Sequence, residues 1–375
     1  LKLRLSAGMT GQQDGIGDYV HFARYHLSND PSKMYNMGLE FFHMLTPQAY
    51  DPAIRWETTT TYNVGVDFGF FKERLTGNID IYMRDTKDLL NSVQVPMGSG
   101  FGNKLMTNIG SIINSGVEIA ISGVPVQKPD FSLQIGFNGT FQSTEFAKLN
   151  PTEDNNYYIE AGNISKGTGG YLCRQMVGYA PYTYYLYQQK YDSSGNPLQN
   201  EFVDRNGDGE ISEADRYMTG RSVSPKFFYG LNMKLTYKDW DFGINGHGAA
   251  GTWVFNDFAS ANSTASLDLN SGALPNQAKL VKKTGFTAPN SARQWYSDYF
   301  LENASFFRLD DINAGYTFRR IGKWETDLRF GLAMQNVFII TGYSGMDPEV
   351  TSETGIDYTV WPRSRTYSIR ATVSF

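Results

Sequence analysis

From Tyr367 to the end, Tyr367, Ile369, Ala371, Val373 and Phe375 alternate with Thr366, Ser368, Arg370, Thr372 and Ser374. Strand side chains point to opposite faces with a period of two, so this strand has one apolar face and one polar face. Two environments accept such a strand. In a sandwich, the apolar face packs on a second sheet and the polar face meets water. In a spanning barrel, the apolar face meets lipid and the polar face a wet lumen. The strand alone leaves both open.

The same alternation recurs. Tyr62, Val64, Val66, Phe68 and Phe70 lead through Phe71-Lys72-Glu73-Arg74 to Leu75, Ile79, Ile81 and Met83. Val117, Ile119 and Ile121 lead through Pro125 and Pro129 to Phe131, Leu133, Ile135, Phe137 and Phe141. Tyr229 to Tyr237 turns at Lys238-Asp239 into Trp240, Phe242 and Ile244, and Ile312 to Phe318 turns near Arg319-Arg320 into Leu328 to Met334. Each pair predicts a hairpin with a short turn. The hairpins are joined by long connections, from about Thr10 to Thr58, Leu89 to Asn114, Ser143 to Ser224, Thr252 to Asn303 and Ile339 to Ser364. Counted back from Phe375 through about ten strands, every short turn lands at one end and every long loop at the other. Porin-type barrels alternate short periplasmic turns with long outer loops in this way. Lys2, Arg4, Asp67, Asp80, Arg84, Lys234, Arg329 and Arg370 all fall on the polar side. A Lys or Arg facing the bilayer midplane costs about 2–4 kcal/mol, which would enforce that segregation.

Composition agrees without choosing. With 24 Tyr, 25 Phe and 38 Gly, the chain suits aromatic girdles or a carbohydrate-binding β protein. It lacks an apolar run of about 18 residues, so a spanning helix is excluded and a spanning barrel is not. A net charge of -5 gives no reason to expect nucleic acid. The single Cys173 has no partner for an internal disulfide. The chain opens directly in a strand at Leu1-Lys2-Leu3-Arg4-Leu5, so the expectation is the carboxyl-terminal part of a longer protein.

Several segments resemble a known family. Arg55-Trp56-Glu57-Thr58-Thr59, Asn63-Val64-Gly65-Val66-Asp67-Phe68-Gly69 and Arg74-Leu75-Thr76-Gly77 are similar to the mid-barrel of SusC-like TonB-dependent outer-membrane transporters of Bacteroidota. So are Asn108-Ile109-Gly110, Asn114-Ser115-Gly116-Val117-Glu118 and Asn303-Ala304-Ser305-Phe306-Phe307-Arg308-Leu309. Tyr343-Ser344-Gly345-Met346-Asp347-Pro348-Glu349, followed by Arg365-Thr366-Tyr367-Ser368, resembles the family's last outer loop and closing strand. The resemblance implies an all-β fold: a transmembrane antiparallel β-barrel segment, about ten strands of a barrel of roughly 22. Residues 1–375 would be the carboxyl-terminal barrel part, with the plug domain and first strands absent. It further implies a cell outer-membrane location, energy from TonB acting through the missing part, and a SusD-like surface lipoprotein as lid. The cargo would be an oligosaccharide or peptide, with no covalent chemistry. The alternative is a soluble, secreted, calcium-braced carbohydrate-binding β-sandwich. A barrel hydrolase lacks any nucleophile or carboxylate dyad that can be nominated.

One metal pattern stands out. Asp204-Arg205-Asn206-Gly207-Asp208-Gly209-Glu210-Ile211-Ser212-Glu213-Ala214-Asp215 fits the calcium-loop pattern with an acid at the twelfth position. Asp204, Asn206 and Asp208 offer side-chain oxygens, Glu210 its carbonyl, Ser212 a direct or water-mediated contact, and Asp215 the final carboxylate. Asp215 stands where an EF-hand has Glu, and its reach is shorter. The expectation is a structural calcium, with an unmetallated Asx-rich turn as the other reading. Tyr182, Tyr184, Tyr185 and Tyr187 form an outer-loop cluster suited to substrate or partner contact, or to loop packing. Trp253, Trp295 and Trp361 carry the same two readings. His21 and His26 share a loop, while His43 and His247 read as solitary, with surface or wall roles. Gly98-Ser99-Gly100-Phe101-Gly102 follows Pro96 and opens no helix, so a phosphate cradle is not expected there.

Overall fold

The computed structural model describes residues 1–27, 34–94, 104–149, 156–166, 170–265, 276–287, 291–321 and 326–374. The 96–102 segment and Phe375 lie outside the described residues. Ten long strands form one antiparallel sheet in strict chain order. They are β1 (Lys2–Gln12), β2 (Glu57–Phe70), β3 (Leu75–Lys87), β4 (Ser111–Lys128) and β5 (Phe131–Lys148). The sheet continues with β6 (Phe227–Tyr237), β7 (Trp240–Ala250), β8 (Phe306–Ile321), β9 (Thr326–Thr341) and β10 (Thr366–Ser374). All four sequence-predicted hairpins are present, and their turn ends share one edge of the wall. Lys72 and Lys238 take positive φ in two of these turns, as tight hairpin connections require.

β4 and β5 run further outward than the alternation predicts, to Ser111 and Lys148. Beyond the apolar band their pairs become polar, as where the Asn114 amide donates to Thr144 Oγ1 at 2.5 Å. Backbone pairing persists there while the hydrophobic signal ends.

One face of the wall is apolar from strand to strand. Val66 pairs with Ile79, Ile79 with Ile119, Ile312 with Met334, and Leu332 with Ile369. Among the described residues nothing covers this face: Ile81 is 58% exposed, Leu332 60% and Ile369 83%. An apolar surface of that extent calls for lipid. Aromatic belts bound it. Stacked Phe141, Phe227 and Tyr229 lie toward the loops, and Trp240, Tyr316 and Phe318 toward the turns. Phe131 and Phe141 mark the two belts on β5. At about 3.3 Å per residue and a tilt near 40°, that stretch spans roughly 25 Å of membrane.

The opposite face is polar and pairs its charges. The Arg4 guanidinium donates to Asp67 at 2.9 Å and to Asp80 at 2.7 Å, and Asn78 donates to Asp80 at 2.7 Å. Gly65 lies beneath that cluster, and a Cβ there would collide with the Asp80 carboxylate and the Arg4 guanidinium. Arg329 and Asp241 form a second pair at 2.5 Å. Val66→Arg should therefore block barrel assembly, scored by loss of the heat-modifiable band on electrophoresis. Asp67→Asn, on the wet face, should assemble nearly as the parent does. Equal effects would contradict the orientation of the wall.

Candidate functional site: the loop cap and its anchor

Three of the long connections do not spread over the surface. The loops between β5 and β6, β7 and β8, and β9 and β10 fold together over a hydrophobic core of their own. Leu172, Cys173, Tyr184, Leu186, Phe255, Phe300 and Ile356 are each at most 1% exposed. Short strands stitch the loops together: Trp253–Asn256 pairs antiparallel with Leu301–Asn303 and parallel with Ile356–Asp357. Tyr184 donates from its hydroxyl to the Gly355 carbonyl at 2.8 Å, crossing from the first loop to the third. Burial lifts the Tyr184 hydroxyl and the Cys173 thiol well above their ordinary values, so both stay protonated and unreactive.

A buried polar hub joins the first two loops. The Gln189 amide donates to the carbonyls of Lys190, Leu198 and Glu201, and its oxygen accepts from Gln294 and Ser297. Asp298 accepts from the Gln189 N–H and from the Tyr217 hydroxyl. Burial raises the Asp298 carboxyl and pushes Tyr217 up to about 12.

The cap is anchored to the polar face of the wall. Arg308 of β8, its side chain 4% exposed, donates to Asp347 at 2.7 Å and to Glu349 at 2.9 Å. Its third branch reaches Asn336 of β9 at 2.8 Å. Arg363 meets the same Glu349 at 3.0 Å, near the return of the loop to β10. His247 of β7 bridges Asp310 at 2.6 Å and Glu349 at 3.1 Å. A bulge in the β8 ladder between Leu309 and Asp311 takes Asp310 out of register, so both acids face the polar side. The acids of the last loop thus lock onto basic side chains of the wall. A cavity of about 410 Å³ lies in the cap, lined by Phe258, Leu280, Lys279, Lys283, Met346 and Asp357.

The sequence-predicted site residues fall into two groups. Tyr184 and Tyr187 are buried in the cap, 0% and 4% exposed, so they are packing residues and not contact platforms. The cap needs large apolar rings at its centre, and the hydroxyl of Tyr184 is used internally. Tyr185 is held between the Arg174 guanidinium, 3.6 Å from its ring centre, and that of Arg216 at 4.4 Å. Tyr182 remains partly exposed and donates to Glu353 at 2.9 Å. Among the outer tryptophans, Trp253 and Trp295 pack against the cap, while Trp361 is 88% exposed.

The 204–215 loop turns sharply, with Gly207 and Gly209 at positive φ. Asp204 accepts from the N–H groups of Gly207 and Gly209, and Asp208 from that of Glu210. Asp215, fully buried, accepts from the N–H groups of Arg205 and Ser212, while Ser212 caps the short helix Glu213–Asp215. The Asn206 amide donates to Asp208 at 2.8 Å, so these two side chains engage each other. Among the described residues, no three His, Cys, Asp or Glu side chains converge closely enough to hold a metal.

A TonB dependent receptor-like, beta-barrel family matches residues 1–337. The TonB-dependent receptor SusC of Bacteroides thetaiotaomicron is 38% identical over 382 residues, covering all of this chain and 37% of that protein. TonB-dependent receptor P39 of Formosa agariphila is 27% identical, with 100% and 40% covered. The solved RagAB peptide transporter superposes with a TM-score of 0.77 at 22% identity, covering all of this chain and 40% of that one. The chain belongs to the TonB-dependent receptor-like β-barrel family. It is an outer-membrane barrel chain and spans about two fifths of the length of its curated relatives.

In a TonB-dependent receptor-like barrel the polar face is the lumen wall, so His247, Arg308 and Arg363 tie the outer cap to the inside of the barrel. His247 is therefore not solitary. Its partners lie 63 and 102 residues away, and no local spacing joins them. The visible signal was the acidic pair Asp347 and Glu349 inside a segment that already resembled the family's last outer loop. Arg308→Met should leave Asp347 buried without its closest partner, at a cost of about 3–5 kcal/mol. Hydrogen exchange should then quicken across 342–364 while the wall stays protected. Unchanged exchange there would show that the anchor does not hold the loop.

Proposed function

We propose that this chain is part of the barrel of an active outer-membrane importer of oligosaccharides or peptides. The observation that carries the reading is a lipid-facing wall whose outer loops fold into an ordered cap anchored inside the lumen. A passive pore needs no such cap; an importer that closes over its cargo does. The free edges of β1 and β10 would be unviable in lipid, and further strands of the same barrel would pair them. Energy would come through TonB, and a SusD-like surface lipoprotein would sit over the cap. The protein would move its cargo unchanged and not act as an enzyme; the relatives named above are receptors and transporters, which supports that reading.

The test is purification of the intact protein from its native membrane in detergent, with uptake of a labelled oligosaccharide or peptide by the cells. A co-purifying lipoprotein and uptake that stops when TonB is deleted are expected. Uptake independent of TonB, or a water-soluble monomer, would overturn the proposal.

The loop 204–215 is proposed to hold a structural calcium, with Asp204, Asn206, Asp208, Asp215 and the Glu210 carbonyl as ligands. The sequence pattern and the turn geometry support it; Asn206 and Asp208 would have to release each other. Calcium should protect 204–215 from protease in the parent and not in Asp204→Ala with Asp208→Ala. Absence of calcium protection in the parent would remove the metal. A separate effect of pH follows from Asp215, whose carboxyl is held below its usual range, first by the Ser212 N–H. A lowered folded value means this brace is fully present above about pH 3.9 and is lost as pH falls through the lower folded value. Protease cleavage of the loop should therefore rise only in strong acid.

A further inference from the structure

A second cavity, of about 500 Å³, lies at the outer rim of the wall. Its position follows from the strand register. Phe141 pairs with Phe227, and Phe227 with Ala250, on the lipid face. The next residues outward, Gln142, Lys226 and Gly251, therefore face the lumen, and the Gln142 N–H donates to the Lys226 carbonyl at 2.9 Å. Gly251, at φ +74°, lies under the Lys226 side chain, whose Cβ is 3.0 Å from where a Gly251 Cβ would sit. The segment 219–226 lies over this row, held by the Trp253 N–H to Ser222 carbonyl bond and by Thr252 Oγ1 to the Val223 carbonyl.

The lining has a distinct chemistry. It carries two cations, Arg221 and Lys226, and no carboxylate. Ser222 and Ser224 line it beside them, while Gln142, Thr144 and Thr219, also in the lining, bond to the Pro225 carbonyl, Asn114 and the Tyr184 carbonyl. The Arg221 guanidinium stacks 3.8 Å from the Trp253 ring centre. Among the described residues, neither Arg221 nor Lys226 makes a side-chain hydrogen bond or a close ion pair, and the Asp298 carboxyl acts on Arg221 only through space. A guanidinium laid on an indole is fixed in plane and partly stripped of water, and its planar N–H fork suits a two-oxygen anion. Ser222, Ser224 and the Trp253 ring suit a sugar, which presents both hydroxyls and an apolar face.

We infer that this cavity is a lumen-side subsite for the carboxylate group of an acidic oligosaccharide. The inference rests on the importer reading and narrows its cargo. Arg221 clamps the anion, Lys226 adds charge from the wall, and Ser222 and Ser224 engage the sugar.

The intact full-length protein in detergent is titrated calorimetrically with trigalacturonate and with its methyl ester, which has the same ring frame without the charge. The acid should bind about tenfold or more tighter, and added salt should weaken it. Arg221→Gln with Lys226→Gln should remove the difference between acid and ester while the barrel keeps its heat-modifiable mobility. Equal binding of acid and ester by the parent overturns the site without any variant, as does absence of binding by either. Retained discrimination in the double variant, or tighter binding of trialanyl-aspartate than of trigalacturonate, also overturns it. Binding to purified protein needs no transport, so TonB-independent uptake with intact acid discrimination would count against the importer alone.

Discussion

Everything in this molecule depends on the wall having no water on its outer face. A backbone N–H or C=O without a partner is costly in hydrocarbon, so the chain must pair each strand along its length. The ten strands do so in chain order, with few irregularities in register. The same absence of water sorts the side chains. Arg4, Asp80, Asp241 and Arg329 turn inward and pair with one another, leaving Ile81, Leu332 and Ile369 to lipid.

The cap answers a different problem. Loops of this length would lose much entropy if ordered without a core. Here they share one, built around Tyr184, Phe255, Phe300 and Ile356. The first loop is joined to the wall by backbone bonds between Phe146 and Gly178 and Tyr179, and the last loop by charge. Arg308 and His247 belong to wall strands, whereas Asp347 and Glu349 belong to the last loop. The core fixes the loops to one another; the ion pairs fix the last loop to the barrel.

Much of the wall was legible in the sequence because lipid imposes a period of two on each strand. Val64, Val66, Ile79 and Ile81 announced their hairpin without any knowledge of the rest. The cap was hardly legible. Tyr182, Tyr184, Tyr185 and Tyr187 lie within six residues, yet one is half-exposed, two are buried and one is held between arginines. Their fates depend on loops some 70 and 170 residues away, which supply Trp253 and Gly355. The 204–215 pattern specified a turn, and the turn is present, because glycines and Asx side chains act locally.

The sequence by itself determined the strands, their two faces, the end at which they turn, and the wall they form. These follow from interactions repeated every second residue against a uniform solvent. Only the tertiary structure decided that the outer loops share a core, that His247 and Arg308 receive Glu349, and that Arg221 lies on Trp253 beside Lys226. Those contacts join residues far apart in the chain, and their partners are chosen by where the wall places the loop ends, which no local pattern records.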